Sequence, residues 1–175
     1  MKKNLWWSLG GLCSVTLLIL LDQWTKIWMF SHHELHDLMD VLPGVFGFYN
    51  LKNYGSAFGM LQGARLFFIP FTILVMGFCV WAFIKTPKTT HYIPVLCSMI
   101  LLVAGAIGNL IDRILFGFVR DFIYFYMIDF PVFNVADMYV VISVFLFIIL
   151  LFTVNKDEKD FDYLKSKKEN QTEVR

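Results

Sequence analysis

Charge is scarce in this chain. Of its 175 residues only 17% are Asp, Glu, Lys or Arg, while 58% are hydrophobic. Ordinary soluble domains carry about a quarter charged residues, so this balance belongs to a membrane protein and excludes a disordered chain. A basic excess is missing too: 15 basic and 14 acidic residues leave a net charge of +1. That is no field for a phosphate backbone, and no nucleic-acid partner is expected. Cysteine is sparse, and Cys13, Cys79 and Cys97 all lie inside apolar runs. They suit small packing residues, neither a disulfide framework nor a thiolate metal site. No Ser-His or Cys-His pair stands out among His32, His33, His36 and His91.

Apolar sequence is what the chain has in abundance. A bilayer core about 30 Å thick takes about 20 residues of helix. Four runs approach that length, at 5–21, 66–84, 92–111 and 132–154, and there is no fifth. The polar turn KTPKTTH, with Pro87, joins the second and third as an antiparallel hairpin. These features predict an all-α membrane protein, a four-transmembrane-helix bundle with helices near 5–29, 66–84, 92–113 and 133–154. Residues 1–154 form one integral membrane domain, and 155–175 form a solvated tail with 6 basic and 6 acidic residues.

Lys2, Lys3, Lys85, Lys88 and the tail cations fall on one side if four helices alternate, so that side is cytoplasmic and holds both termini. The opposite side carries five basic residues but eight acids. The first run is read as an uncleaved signal anchor: no small-x-small cleavage site follows it, and Leu12 precedes Cys13 where a lipoprotein site needs a small residue.

Depth arithmetic gathers the polar residues. Leu5 to Asp22 and Asp137 to Val154 are each 17 steps, about 25 Å of helix at 1.5 Å per residue, and Tyr92 to Asp112 is 20 steps, about 30 Å. Three helices thus deliver ionisable groups to one outer level, where they are costly unless paired or hydrated and are functional candidates by default. Asp22 and Lys26 in DQWTK stand at i, i+4, which also describes a plain juxtamembrane ion pair. The Ala104/Gly108 spacing permits close helix approach. Packing does not account for Asn109 and Arg113, which share a stripe with Gly105. Asn134 suits an N-cap with Asp137 in the first turn of the fourth helix. Asp121, on the short connection before it, supplies a second carboxylate at the same interface. Two carboxylates in a partly dry site tend to share a proton, one serving as base and the other as acid, which is hydrolase chemistry. The run His32-His33-Glu34-Leu35-His36 has the wrong spacing for the zinc-protease helix, and a solvated outer segment is preferred to a His32/His36 metal chelate.

Taken together, DQWTK, NYGSAFG, GNLIDR, VRDFI and FNVAD resemble, in order and approximate spacing, bacterial lipoprotein signal peptidase (signal peptidase II). The resemblance spans about 5–154 and implies an aspartic peptidase of the bacterial inner membrane. Its partners are membrane lipid and prolipoproteins, whose signal peptides it removes just before the diacylglyceryl-modified cysteine. It implies Asp121 and Asp137 as catalytic, and Asp22, Lys26, Asn53, Gly105, Asn109, Arg113 and Asn134 as supporting or substrate-binding residues. No metal and no cofactor are implied, and a monomer with its active site at the outer face is expected. The family fold adds a small extracytoplasmic β-cradle, expected within 44–60, and a short surface helix between Asp121 and Pro131. Asp112 is assigned a structural role, pairing or capping near Arg113. The rival from another class is a non-enzymatic ion- or proton-conducting bundle built on the same acids.

Overall fold

A computed structural model describes residues 2–55 and 65–153, with side chains at 5–55 and 69–150. The apolar strip 57–60 and the charged tail 155–175 lie outside the described residues. The order of elements is α1 (Lys2–His32), β1 (Leu38–Leu42), β2 (Phe46–Asn53), α2 (Arg65–Lys85), α3 (Ile93–Leu115), β3 (Val119–Tyr124) and α4 (Val135–Thr153).

The helix ends are chemically defined. The last carbonyls of α1 are met from β2, where the Asn50 amide nitrogen donates to Met29 O at 3.0 Å and His33 O at 2.8 Å. His36, at φ 65°, then turns the chain toward β1. Pro94 occupies the first turn of α3, where its missing N–H costs nothing. Beyond α3, Gly117 at φ 84° redirects the chain into β3, a backbone conformation that a side chain would strain.

The strands form one antiparallel sheet in the order β1-β2-β3. Its composition differs from the expected cradle. Leu38–Leu42 and Val119–Tyr124 flank Phe46–Asn53, with Leu51 opposite Asp121 and Asn53 opposite Val119. Asp121 is therefore a strand residue. The expected surface helix is a single 3-10 turn, Tyr126–Ile128, ended by left-handed Asp129 at φ 48°. The segment VRDFIY is rich in the β-branched and aromatic residues that fit a pleated surface, so it completes the ladder with β2 instead of coiling.

At the centre of the bundle is α3, which packs against α1, α2 and α4. A Cβ at Gly105 would stand 2.5 Å from Ala136 O, and one at Gly108 would stand 2.5 Å from Asp22 Oδ2. Only glycine admits this approach of α4 and α1, and Ala104 and Ala136, both fully buried, continue the seam. Burial runs opposite to that of a soluble protein. The largest fully buried side chains include Lys26, Asn50, Asn134, Asp22, Asp112 and Asp121, while Trp6, Leu74 and Phe145 are more than 60% exposed. Apolar surface on this scale calls for a lipid or protein neighbour. Among the described residues two helical stretches, Leu5–His32 and Thr90–Leu115, are long and apolar enough to cross a membrane; Ile69–Lys85 and Val135–Leu150 are shorter apolar helices.

Candidate active site

The nine site residues expected from the sequence lie together at one end of the bundle, contributed by α1, β2, α3, β3 and the start of α4. Asn134 caps α4: its Oδ1 accepts from the Asp137 N–H at 3.0 Å, and its own N–H donates to Asp137 Oδ2 at 3.1 Å. This reciprocal cap fixes both residues to one turn. The Asn134 side-chain nitrogen donates to Asp121 Oδ1 at 2.6 Å and to Asn109 Oδ1 at 3.1 Å. The other oxygen of Asp121 accepts from Asn53 Nδ2 at 2.8 Å, and Asp137 Oδ1 accepts from Asn109 Nδ2 at 2.7 Å. Each carboxylate is thus oriented by two N–H donors, with Asn134 shared between them.

Beneath the asparagines lies a cation. Lys26, fully buried, donates from Nζ to Asn109 Oδ1 at 2.9 Å and pairs with Asp22 at 3.0 Å. Because Asn109 Oδ1 receives both Lys26 and Asn134, its amide nitrogen is left to face Asp137, and the orientation is not free to flip. Asp22 Oδ1 accepts the Ala136 N–H at 2.9 Å, which ties α1 to the first turn of α4. Gly105 backs the same turn.

Asp112 does not pair with Arg113. Its oxygens receive the Arg120 side chain at 2.8 and 3.1 Å and the Arg120 backbone N–H at 3.0 Å. Neighbours on a helix point about 100° apart, so Arg113 faces the cavity instead and donates to Gly55 O at 3.3 Å. Two residues of this network were not singled out from the sequence, Arg120 and Gln23. Gln23 accepts from Arg120 at 2.8 Å and donates to Gly108 O at 3.0 Å. A polar residue at the end of an apolar run and a cation in a hydrophobic strand were the available signals. At the end of α1 His32 bonds Trp28 O, and beyond it His36 bonds Tyr49, so the two rings serve separate partners.

Asp121 and Asp137 open onto a cavity of about 540 Å³, whose polar end also holds Asn53, Asn109 and Arg113. Its walls are apolar, from Phe130 to Phe133 and along α4 at Met138 and from Val140 to Ile142. Burial pushes the Asp121 carboxyl up to about 7, helped by the Asp137 carboxylate and opposed by the Asn53 and Asn134 hydrogen bonds. An acid that keeps its proton near neutrality, beside a second carboxylate in an apolar-walled groove, suits general acid-base attack on an extended peptide.

The family model described as Signal peptidase (SPase) II matches residues 14–153. The chain belongs to the signal peptidase II family. Among curated relatives, the lipoprotein signal peptidase of Streptococcus thermophilus (strain CNRZ 1066) is 38% identical over 138 residues, 79% of this chain and 89% of the relative. That of Streptococcus pyogenes serotype M5 (strain Manfredo) is 36% identical over 151 residues, 86% of this chain and 95% of the relative. A bacterial membrane enzyme solved by the in meso method at 2.3 Å resolution superposes with a TM-score of 0.77 at 35% identity, over 85% of this chain and 92% of that one. A second, solved at 1.9 Å, gives 0.73 at 34% identity, over 82% and 93%. The chain is therefore a peptidase with the fold of a membrane enzyme, and the conducting bundle finds no support.

Proposed function

We propose that this signal peptidase is an intramembrane aspartic endopeptidase, in which Asp121 and Asp137 cut a prolipoprotein just before its diacylglyceryl-modified cysteine. One observation carries the reading. A strand contributes a buried carboxylate and a helix a half-buried one to the same cavity end, and Asn134 hydrogen-bonds to both. Asp137 sits in the first turn of α4, where it accepts from the Asn134 backbone N–H and from the Asn109 amide that Lys26 orients. It takes a proton from water as the water oxygen attacks the carbonyl carbon. Asp121 gives its proton to the carbonyl oxygen. In collapse of the resulting diol, Asp137 returns a proton to the departing amine and Asp121 recovers one from a hydroxyl, so both carboxyls end as they began. Asn53 and Arg113 orient the substrate and the carboxylates, with no cofactor taking part.

Four membrane spans accompany this reading. Arg65–Lys85 is 21 residues and Val135–Thr153 is 19, about 32 and 29 Å of helix, close to the ~30 Å core even for the two shorter apolar segments. Both termini are cytoplasmic and the site faces outward in the bacterial inner membrane, where the acids outnumber the cations. A single chain supplies every group named, in keeping with a monomer.

The test uses purified protein in detergent with a diacylglyceryl-modified prolipoprotein and the unmodified precursor. Cleavage of the modified form only is expected. Asp121→Asn and Asp137→Asn should each abolish it while leaving the protein folded, and Asp112→Asn should be milder. Near-normal turnover by either dyad variant overturns the mechanism.

A further inference from the structure

Beneath the dyad lies a second charged cluster with its own balance: Asp22, Lys26, Asp112 and Arg120, all buried, two anions and two cations. Lys26 stands between the acids, 3.0 Å from Asp22 and 3.6 Å from Asp112. Its third contact, 2.9 Å to Asn109 Oδ1, orients the amide that serves Asp137. What keeps Lys26 there is the saturation of Asp112 by another cation. Arg120 grips both Asp112 oxygens through its side chain and backbone, reaches Gln23 Oε1 at 2.8 Å, and lies over the Phe116 ring at 4.8 Å. Arg120 also precedes Asp121 in β3, and successive strand residues face opposite ways. Anchoring Arg120 to the end of α3 thereby turns Asp121 toward the cavity.

We propose that Arg120 is a positioning residue of the peptidase, aiming Asp121 through the strand and, by neutralising Asp112, holding Lys26 on Asn109 and so Asn109 on Asp137. This rests on the dyad reading and adds to it a residue that stands outside the cavity lining. Without Arg120, the Asp112 carboxylate is left buried with Lys26 as its nearest cation, and an unpaired buried charge recruits whatever partner it can reach. Lys26 then shifts from Asn109 toward Asp112. Both carboxylates lose aim while the apolar walls that hold the substrate stay as they are.

The experiment measures kcat and KM separately for Arg120→Met, Arg120→Lys and the double variant Asp112→Asn/Arg120→Met, using the modified prolipoprotein in detergent. A displacement of about 1 Å at reacting groups costs on the order of a hundredfold. Arg120→Met is therefore expected to lose about tenfold to a hundredfold in kcat with KM changed by less than about threefold. The double variant should recover the share of that loss that follows from the shift of Lys26, because removing the anion releases Lys26 while the strand anchor stays lost, and Arg120→Lys should recover part. If Arg120→Met does not fold, the double variant still decides: activity within about tenfold of wild type supports the role, and loss comparable with the dyad variants refutes it. Wild-type kcat in Arg120→Met, or a loss confined to KM, also overturns the proposal. Asp121→Asn and Asp137→Asn run alongside separate the two ideas, since their activity bears on the dyad and not on Arg120.

Discussion

Substituting Gly105 by alanine adds one methyl group at a place where its consequence is calculable. The new Cβ would lie 2.5 Å from Ala136 O, 2.8 Å from Val140 Cγ2 and 3.3 Å from Tyr139 Cβ. A carbon meets a carbonyl oxygen comfortably at about 3.3 Å, so α3 and α4 must part by about 0.8 Å at this level. Neither partner can turn aside, because the obstacle is backbone, and the Ala136 N–H is held by Asp22 at 2.9 Å. Asp137 is the next residue along, so the displacement is handed to a carboxylate whose aim depends on Asn109 at 2.7 Å. Overpacking of this kind costs about 1–3 kcal/mol, and a misplacement near 1 Å costs on the order of a hundredfold in rate. Gly105→Ala is expected to stay folded in detergent, melt lower, and lose about tenfold to a hundredfold in kcat against the lipid-modified prolipoprotein. Gly77→Ala is the matched control: nothing lies within 4 Å of its Cβ position in α2, and alanine favours helix. Wild-type kcat in Gly105→Ala, or equal damage from Gly77→Ala, would refute the argument that the α3–α4 approach sets the aim of Asp137.

The remaining predictions concern protons and buried charge. With the Asp121 carboxyl raised to about 7, the acid form that the proposed mechanism needs is present below that pH, and kcat should fall as pH rises through it. The same shift makes a stability prediction. Between about pH 4, where an unfolded carboxyl titrates, and about pH 7, the folded state binds the extra proton, so stability should decline across that window. Asp121→Asn should remove this decline and melt above wild type at pH 8; parallel melting-temperature profiles for the two proteins would contradict it. Lys26→Met leaves Asp22, Asp112 and Asn109 Oδ1 without their shared cation. Breaking a buried pair costs about 3–5 kcal/mol, so a sharp fall in melting temperature is expected along with lost cleavage, and a wild-type melt would count against the network.

Periodicity and depth made part of this molecule readable in one dimension. Helix is local, so apolar runs foretold where α1 to α4 lie, and a rise of 1.5 Å per residue was enough to bring Asp22, Asn109 and Asp137 to one level. The Asn134/Asp137 cap was legible for the same reason, being three residues apart. The sheet was not. Its ladder joins residues such as Leu51 and Asp121, 70 positions apart, and no periodicity in either segment names its partner. Hence the cradle was expected within 44–60, while two of its strands come from outside that range. Asp112 illustrates the same limit: Arg113 is adjacent in the chain but points to another side of the helix, and the true partner, Arg120, arrives only when β3 folds back past the end of α3.

Sequence alone determined that charge is kept to the ends of four apolar runs, with eight of the fourteen acids on one side, because ions are costly in hydrocarbon and the runs are long enough to be read by spacing. Tertiary structure decided which charges meet. Hydrogen bonds of about 3 Å between residues on different elements depend on how close α3 comes to α1 and α4, and two glycines without side chains, Gly105 and Gly108, permit that approach. The same acids on a looser bundle would remain at the same depth and have no common site.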